Sequence, residues 1–64
     1  MKFRDLIRVL RDDGWVHIRT TGSHVHFKHP SKPGVVTVPA GGKESRDVAP
    51  GTLRSILRQA GLLQ

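Results

Sequence analysis

The chain has 64 residues, no cysteine, and eleven lysines and arginines against five acidic residues, which gives a net charge of +6. A chain of this length is expected to form one small domain, spanning residues 1–64, with a thin hydrophobic core. A deep substrate cavity, disulfides and thiolate chemistry are therefore excluded. The excess of positive charge favours a polyanionic partner such as a nucleic acid.

The first segment predicts an amphipathic helix that is not a signal peptide, because charged residues run through it. Its apolar residues recur at the spacing of one helix face: Phe3, Leu6, Ile7 and Leu10. Arginines repeat at a similar spacing on a second face: Arg4, Arg8 and Arg11. Gly14 is placed to end the helix. No apolar run approaches the roughly 20 residues of a membrane span, so a cytoplasmic protein without membrane contact is expected.

Three short strands are predicted next from alternation of apolar and polar residues. The first is "WVHIRT" from Trp15, with Val16 and Ile18 facing the core, and the second is "SHVHFKH" from Ser23. The third is "VVTV" at 35–38, followed by a loop over 39–49. For Trp15, packing in the core or at the sheet edge is favoured over stacking on a base.

A second helix is predicted to begin at Pro50, because proline suits the first helical position. It carries an apolar stripe (Leu53, Ile56, Leu57 and Ala60), with Arg54 and Arg58 beside it and Gly61 as its cap. The fold class is therefore α+β, a two-layer α-β-β-β-α domain. Both helices are expected on one face of an antiparallel three-stranded sheet, leaving the other face open.

The hairpin register decides which side chains occupy the open face. A two-residue turn at Thr21–Gly22 pairs Ile18 with Val25, and it pairs every polar residue with a polar one. The predicted open face then carries one cluster, with Trp15 at its edge: His17, Arg19, His24, His26 and Lys28.

Three interpretations of this cluster remain open. The first is a solvent-exposed polar strand surface with no chemical role. The second is a zinc site of three imidazoles, which Arg19 and Lys28 disfavour because cations repel a metal ion. The third is metal-independent RNA cleavage, in which a neutral histidine takes the proton of the ribose 2′-hydroxyl and the two cations stabilise the charged phosphorane.

The chain resembles the HicA-type toxins of bacterial toxin–antitoxin pairs. The resemblance rests on an N-terminal amphipathic helix, "GW" opening a strand, "GSHVHFKHP" over 22–30 and "APGTLRSILRQAGL" over 49–62. It implies a fold like double-stranded RNA-binding domains, cleavage of mRNA independently of the ribosome, and inhibition by a HicB-type antitoxin. Only the catalytic histidine of the family carries over, to His24.

The sequence thus predicts a toxin that acts as a metal-independent endoribonuclease on mRNA, without a cofactor, with a non-catalytic RNA-binding module of the same fold as the alternative. It is expected as a monomer alone or a hetero-oligomer with its antitoxin. The predicted catalytic residues are His24, with His26, Arg19 and Lys28 beside it. The predicted substrate-binding residues are Gly22, Ser23, His17, Arg4, Arg8, Arg11, Arg54 and Arg58. The general acid is left open between His26 and His17.

Overall fold

The structure of the protein is a computed structural model, and it describes residues 1–63. Its elements are α1 (Phe3–Asp12), β1 (Val16–Thr21), β2 (His24–Lys28), β3 (Val35–Val38) and α2 (Pro50–Gln59). The strands form one antiparallel sheet in the order β1-β2-β3. The predicted α+β fold with α-β-β-β-α order is confirmed. Within residues 1–63, neither helix is long and apolar enough to cross a membrane.

The core lies between one face of the sheet and the two helices. Phe27 and Val36 are cross-strand partners with less than 2% of their surface exposed, and Leu6, Leu10 and Ile56 from the helices join the same buried cluster. The opposite sheet face carries no covering element among the described residues, since its side chains are exposed or half-buried. The predicted open face is therefore present.

Helix α1 ends in a motif that sends Trp15 into the core. Gly14 adopts a positive φ of 106°, its N–H donates to the Arg11 carbonyl, and the Trp15 N–H donates to the Leu10 carbonyl at 3.0 Å. This paired bonding is a Schellman motif, in which the residue after the glycine contacts the last helical turn. Trp15 is only 1% exposed as a result, so its predicted place at the edge of the open face is wrong.

The hairpin turn is Gly22–Ser23, and the predicted Thr21–Gly22 turn is wrong by one residue. Thr21 pairs with His24 across the strands, and Gly22 has a φ of +59°. A two-residue turn with positive φ at its first central position favours glycine there, which is where this turn places Gly22. The predicted pairing placed that glycine second in the turn.

A bulge in β1 adds a second departure from the predicted register. His17 pairs with Phe27 and Arg19 pairs with His26, so Ile18 is the extra residue between the two pairs. Because Trp15 enters the core, alternation turns Val16 outward and His17 inward. Val16 is 58% exposed and Ile18 is 41% exposed, so the prediction that both face the core is wrong.

The loop over 39–49 closes against the N-terminus of α1. The Phe3 and Arg4 N–H groups donate to the carbonyls of Arg46 and Glu44 at 2.9 and 3.0 Å. These bonds satisfy helix-terminal N–H groups that have no partner inside the helix. The loop also reaches the hairpin turn, where the Gly41 N–H donates to the Ser23 carbonyl at 2.8 Å.

Candidate functional site on the open sheet face

His24 stands exposed at the start of β2, immediately after the Gly22–Ser23 turn. Among residues 1–63 its ring has no hydrogen-bond partner. His26 and Lys28 follow at the two-residue period of a strand, so all three project from the same face, with successive Cα atoms roughly 7 Å apart. Of the predicted cluster, the structure therefore places His24, His26 and Lys28 together on the open face.

Arg19 joins this face from β1, where it is the direct cross-strand partner of His26. The bulge at Ile18 makes this possible, because simple alternation from Trp15 would have turned position 19 toward the helices. Directly opposed residues in an antiparallel pair have Cβ atoms about 5 Å apart, so the guanidinium can reach the space above His26. Arg19 and Lys28 form no ion pair within residues 1–63, and the three strands contain no acidic residue.

His26 is half-buried and held by the neighbouring strand. Its Nδ1 atom lies 3.0 Å from the Thr37 Oγ1 atom, and Thr37 is its cross-strand partner on β3. A hydroxyl can donate to or accept from this nitrogen, so the contact fixes the ring in either tautomer. It leaves Nε2 as the nitrogen that is available to a ligand.

His17 does not belong to the open face, and its predicted place in the cluster is wrong. Its ring lies edge-on to the buried Phe27 ring with centroids 5.9 Å apart, which places it on the helix side of the sheet. Its Nε2 atom lies 2.9 Å from the Thr20 hydroxyl oxygen. The three hairpin imidazoles therefore do not converge. Residues 1–63 hold no group of three or more His, Cys, Asp or Glu placed for a metal ion.

The position of His24 depends on the contact between the hairpin turn and the 39–49 loop. A Cβ atom added to Gly41 would lie 2.7 Å from the Ser23 Cα and 3.1 Å from the Gly22 carbonyl oxygen. The two backbones approach this closely only because residue 41 has no side chain. Sequence reasoning missed Gly41, and the adjacent glycines at 41–42 were the signal that could have found it.

The helix arginines lie on the other side of the sheet from His24. The side chains of Arg4, Arg8 and Arg11 on α1, and of Arg54 and Arg58 on α2, are exposed and form no ion pair among residues 1–63. They are accessible to a ligand, yet they do not share a surface with His24, His26 and Lys28. A ligand that contacts both sets must pass around an edge of the sheet.

A separate polar cluster ties three segments together at the far end of the domain. Lys32 donates to the Asp13 carboxylate at 2.5 Å and to the Ala60 carbonyl at 3.0 Å, and His29 Nε2 lies 2.6 Å from the Asp13 backbone oxygen. The hydrogen bond from Lys32 lowers the pKa of Asp13, and the charges of Lys32 and His29 act in the same direction. This cluster joins the ends of α1 and α2 to the β2–β3 connection.

The comparison with known families decides what kind of protein carries this site. A family model described as the HicA toxin of bacterial toxin–antitoxin matches residues 3–62, nearly the whole chain. The chain belongs to the HicA toxin family. A search of curated proteins finds no match to it.

Membership identifies this HicA protein as the toxin of a toxin–antitoxin pair, and it implies an antitoxin as its partner. The match covers the whole hairpin, the 39–49 loop and both helices. His24, the residue that the sequence singled out, lies within the matched range.

Proposed function

We propose that this HicA toxin is an endoribonuclease that cleaves mRNA on the open sheet face, with His24 as the general base. The observation that carries the proposal is an exposed imidazole on a face that holds cations and no carboxylate. Histidine titrates close to neutral pH, which suits a group that must accept a proton there. RNA supplies its own nucleophile in the ribose 2′-hydroxyl.

The proposed reaction is an internal transfer at phosphorus. His24 takes the proton of the 2′-hydroxyl as the 2′-oxygen bonds to the neighbouring phosphorus and the bond from phosphorus to the 5′-oxygen breaks. The products are a 2′,3′-cyclic phosphate and a 5′-hydroxyl end, and the leaving 5′-oxygen needs one proton. A flexible single strand is the favoured substrate, since the 2′-hydroxyl must align with the scissile bond.

His26 is the general acid in this proposal. His17 lies on the helix side, which favours His26 over it as the acid, and the contact with Thr37 leaves Nε2 of His26 as the nitrogen that can give a proton. His24 and His26 are two residues apart on one strand, roughly 7 Å between Cα atoms, so a phosphate fits between a base and an acid. Arg19 and Lys28 stabilise the extra negative charge of the phosphorane.

The antitoxin is proposed to be of the HicB type and to cover this same face. Three exposed apolar side chains, Val16, Ile18 and Val35, lie on the strands among the cations. Val16 and Val35 are the cross-strand partners of Lys28 on its two sides. Apolar side chains that flank a cation suit a partner with apolar anchors and acidic groups between them. An antitoxin bound there would block the access of RNA to His24. The proposed place of action is the cytoplasm, where mRNA is translated.

The test compares cleavage by the purified toxin with cleavage by His24→Ala, at saturating RNA and in the presence of EDTA. General base catalysis contributes about 10²–10⁴-fold, so kcat is expected to fall by that factor while RNA binding is retained. His17→Gln is the matched control for kcat at saturating RNA, because it replaces a hairpin histidine of the opposite face. Its kcat should stay within a few-fold of the wild-type value, and any effect on RNA affinity should appear in KM. RNA with 2′-deoxyribose at the scissile position should resist the wild-type toxin.

Three outcomes would oppose the mechanism. Undiminished cleavage by His24→Ala would show that His24 is not the general base. Loss of cleavage in EDTA would show that the reaction requires a metal ion. Binding of RNA without cleavage by the wild-type protein would identify a non-catalytic RNA-binding module instead.

A further inference from the structure

A cleft of about 330 Å³ opens on the helix side of the hairpin, between α1 and β1. It is separate from the open face, because its strand residues are the inward-facing ones of β1 and β2. Arg4 and Arg11 form its helix wall, and His17 and Thr20 form its strand wall. The volume lies in the range of small-ligand sites, which bind through an apolar floor and a few polar groups.

Two of the three arginines of α1 line the cleft. Arg4 and Arg11 are seven residues apart, two helical turns, so their Cα atoms are separated by about 10 Å along the helix axis. Arg8 lies between them in the chain but does not line the cleft. Neither cleft arginine forms an ion pair in residues 1–63, so both guanidinium groups are available for the paired hydrogen bonds that phosphate accepts.

The strand wall adds a second polar pair. His17 and Thr20 are exposed, and the contact between His17 Nε2 and the Thr20 hydroxyl holds both at the cleft. The short connection from α1 to β1 makes the strand run back along the helix. His17 therefore lies toward the Arg11 end of the cleft, and Thr20 lies toward the Arg4 end.

The residues at the floor and the rim indicate which end of the cleft suits a phosphate and which end suits a base. Ile7, Val25 and the buried Phe27 form an apolar floor that can take the face of a base. Glu44 stands at the Arg4 end, where its carbonyl already accepts from the Arg4 N–H. A carboxylate repels phosphate but accepts a hydrogen bond from the amino group of cytosine. The phosphate therefore belongs near Arg11 and His17, and the base belongs toward Glu44.

We propose that this cleft binds one nucleotide of the RNA strand, with cytidine preferred, as a subsite remote from the scissile phosphate; the inference rests on the proposed ribonuclease function. β1 is the edge strand of the sheet, so the two faces meet there. Thr20 lines the cleft, and the next residue, Thr21, is the partner of His24 on the open face. A strand held in the cleft passes around this edge to reach His24.

The first experiment titrates 5′-CMP into isotope-labelled wild-type toxin and follows backbone amide shifts by NMR. Saturable shifts are expected at Ile7, Thr20 and Glu44, with smaller ones at His24. Inorganic phosphate and 5′-UMP are the comparison ligands and should bind several-fold more weakly, since neither offers an amino group to Glu44. Equal affinity for phosphate and 5′-CMP would overturn the nucleotide subsite.

The second experiment measures the affinity of a fully 2′-O-methylated RNA, which cannot be cleaved. Arg4→Gln and Arg11→Gln should each weaken binding at least five-fold. Arg11→Gln, at the phosphate end of the cleft, should also reduce the salt slope by about 0.7, the value for one phosphate contact on a single strand. Lys43→Gln is the control: Lys43 is exposed, forms no ion pair in residues 1–63 and does not line the cleft, so its loss should leave the affinity within two-fold. Equal losses in all three variants would overturn the proposal in favour of a diffuse positive surface.

These readouts separate the cleft from the cleavage chemistry. Binding of 5′-CMP and of 2′-O-methyl RNA needs no general base, so failure of the His24 mechanism leaves both experiments valid. Conversely, His24-dependent cleavage with unchanged RNA affinity in Arg4→Gln and Arg11→Gln would reject the cleft alone. Loss of antitoxin binding without loss of RNA binding in these variants would assign the cleft to the protein partner and also reject the proposal.

Discussion

Gly41 shows how a residue without a side chain can control the position of a functional candidate, here the proposed general base His24. Gly41→Ala places a methyl group within 2.7 Å of the Ser23 Cα, and backbone atoms cannot rotate away as a side chain would. The hairpin turn must move, and His24 moves with it. Because a displacement of about 1 Å can cost about 100-fold in rate, we expect the cleavage rate to fall by roughly 10- to 100-fold.

Single-turnover cleavage at saturating RNA is the measurement for Gly41→Ala. Gly51→Ala is the control, because a Cβ atom there has nothing within 4 Å and the residue lies in the first turn of α2. Alanine favours a helix over glycine, so this control should keep full activity and equal or higher stability. Wild-type cleavage by Gly41→Ala would show that the turn does not depend on the loop contact.

The β1–β2 hairpin is the element in which local signals conflict. Its polar and apolar residues pair well in a regular register, yet the observed strand contains a bulge and is shifted by one residue at the turn. The shift moves His17 to the helix side, while the bulge keeps Arg19 beside His26 on the open face. Without the bulge, the open face would hold His24 and His26 with Lys28 but lose its second cation.

The cluster that joins the ends of α1 and α2 gives a prediction for stability. Asp13→Asn removes the charge that Lys32 and His29 contact, so unfolding midpoints in urea should fall at pH 7. The pKa of Asp13 is lowered on folding, chiefly by the hydrogen bond from Lys32. Its contribution is therefore fully present above the unfolded pKa of 3.8 and is lost as the pH falls through the lower folded value.

The measurement for Asp13 is a series of urea denaturation curves between pH 7 and pH 2. The difference in unfolding midpoint between wild type and Asp13→Asn should be largest near neutrality and should begin to shrink below pH 3.8. It should close as the pH falls through the lower folded pKa, where the carboxyl of the folded wild-type protein becomes neutral as well. Asp12→Asn is the neighbouring control, because Asp12 is exposed and forms no ion pair in residues 1–63. The unfolding midpoint of this variant should stay close to that of the wild type at every pH. A pH-independent gap for Asp13→Asn would contradict the assigned cause.

In the molecule as a whole, the two faces of the sheet carry different parts of the proposed function. The open face holds the proposed reactive groups and the apolar residues Val16 and Val35, and the helix side holds the arginines of α1 and α2. Replacing both valines in Val16→Ser/Val35→Ser removes apolar contacts worth about 1 kcal/mol or more each. We expect at least a ten-fold loss of affinity for the antitoxin, with the proposed cleavage of free RNA retained.

Calorimetry with the purified antitoxin measures that loss. Leu62→Ser is the control, because Leu62 is also an exposed apolar residue but lies beyond α2, away from the strands. Full antitoxin affinity in the double-valine variant would place the antitoxin elsewhere on the toxin. Equal loss in Leu62→Ser would indicate a general effect on folding.

Periodicity and caps in the sequence by themselves determined both helices, the order of the elements and the existence of an open sheet face, because these features depend on contacts within a few residues. The resemblance to the HicA toxins singled out His24, which lies on the open face beside the glycine turn in both the predicted and the observed register. The face of His17, the burial of Trp15 and the role of Gly41 were decided only by the tertiary structure. Each depends on a contact between segments distant in the chain, and a one-residue shift between two similar registers changes too little local energy for the sequence alone to resolve it.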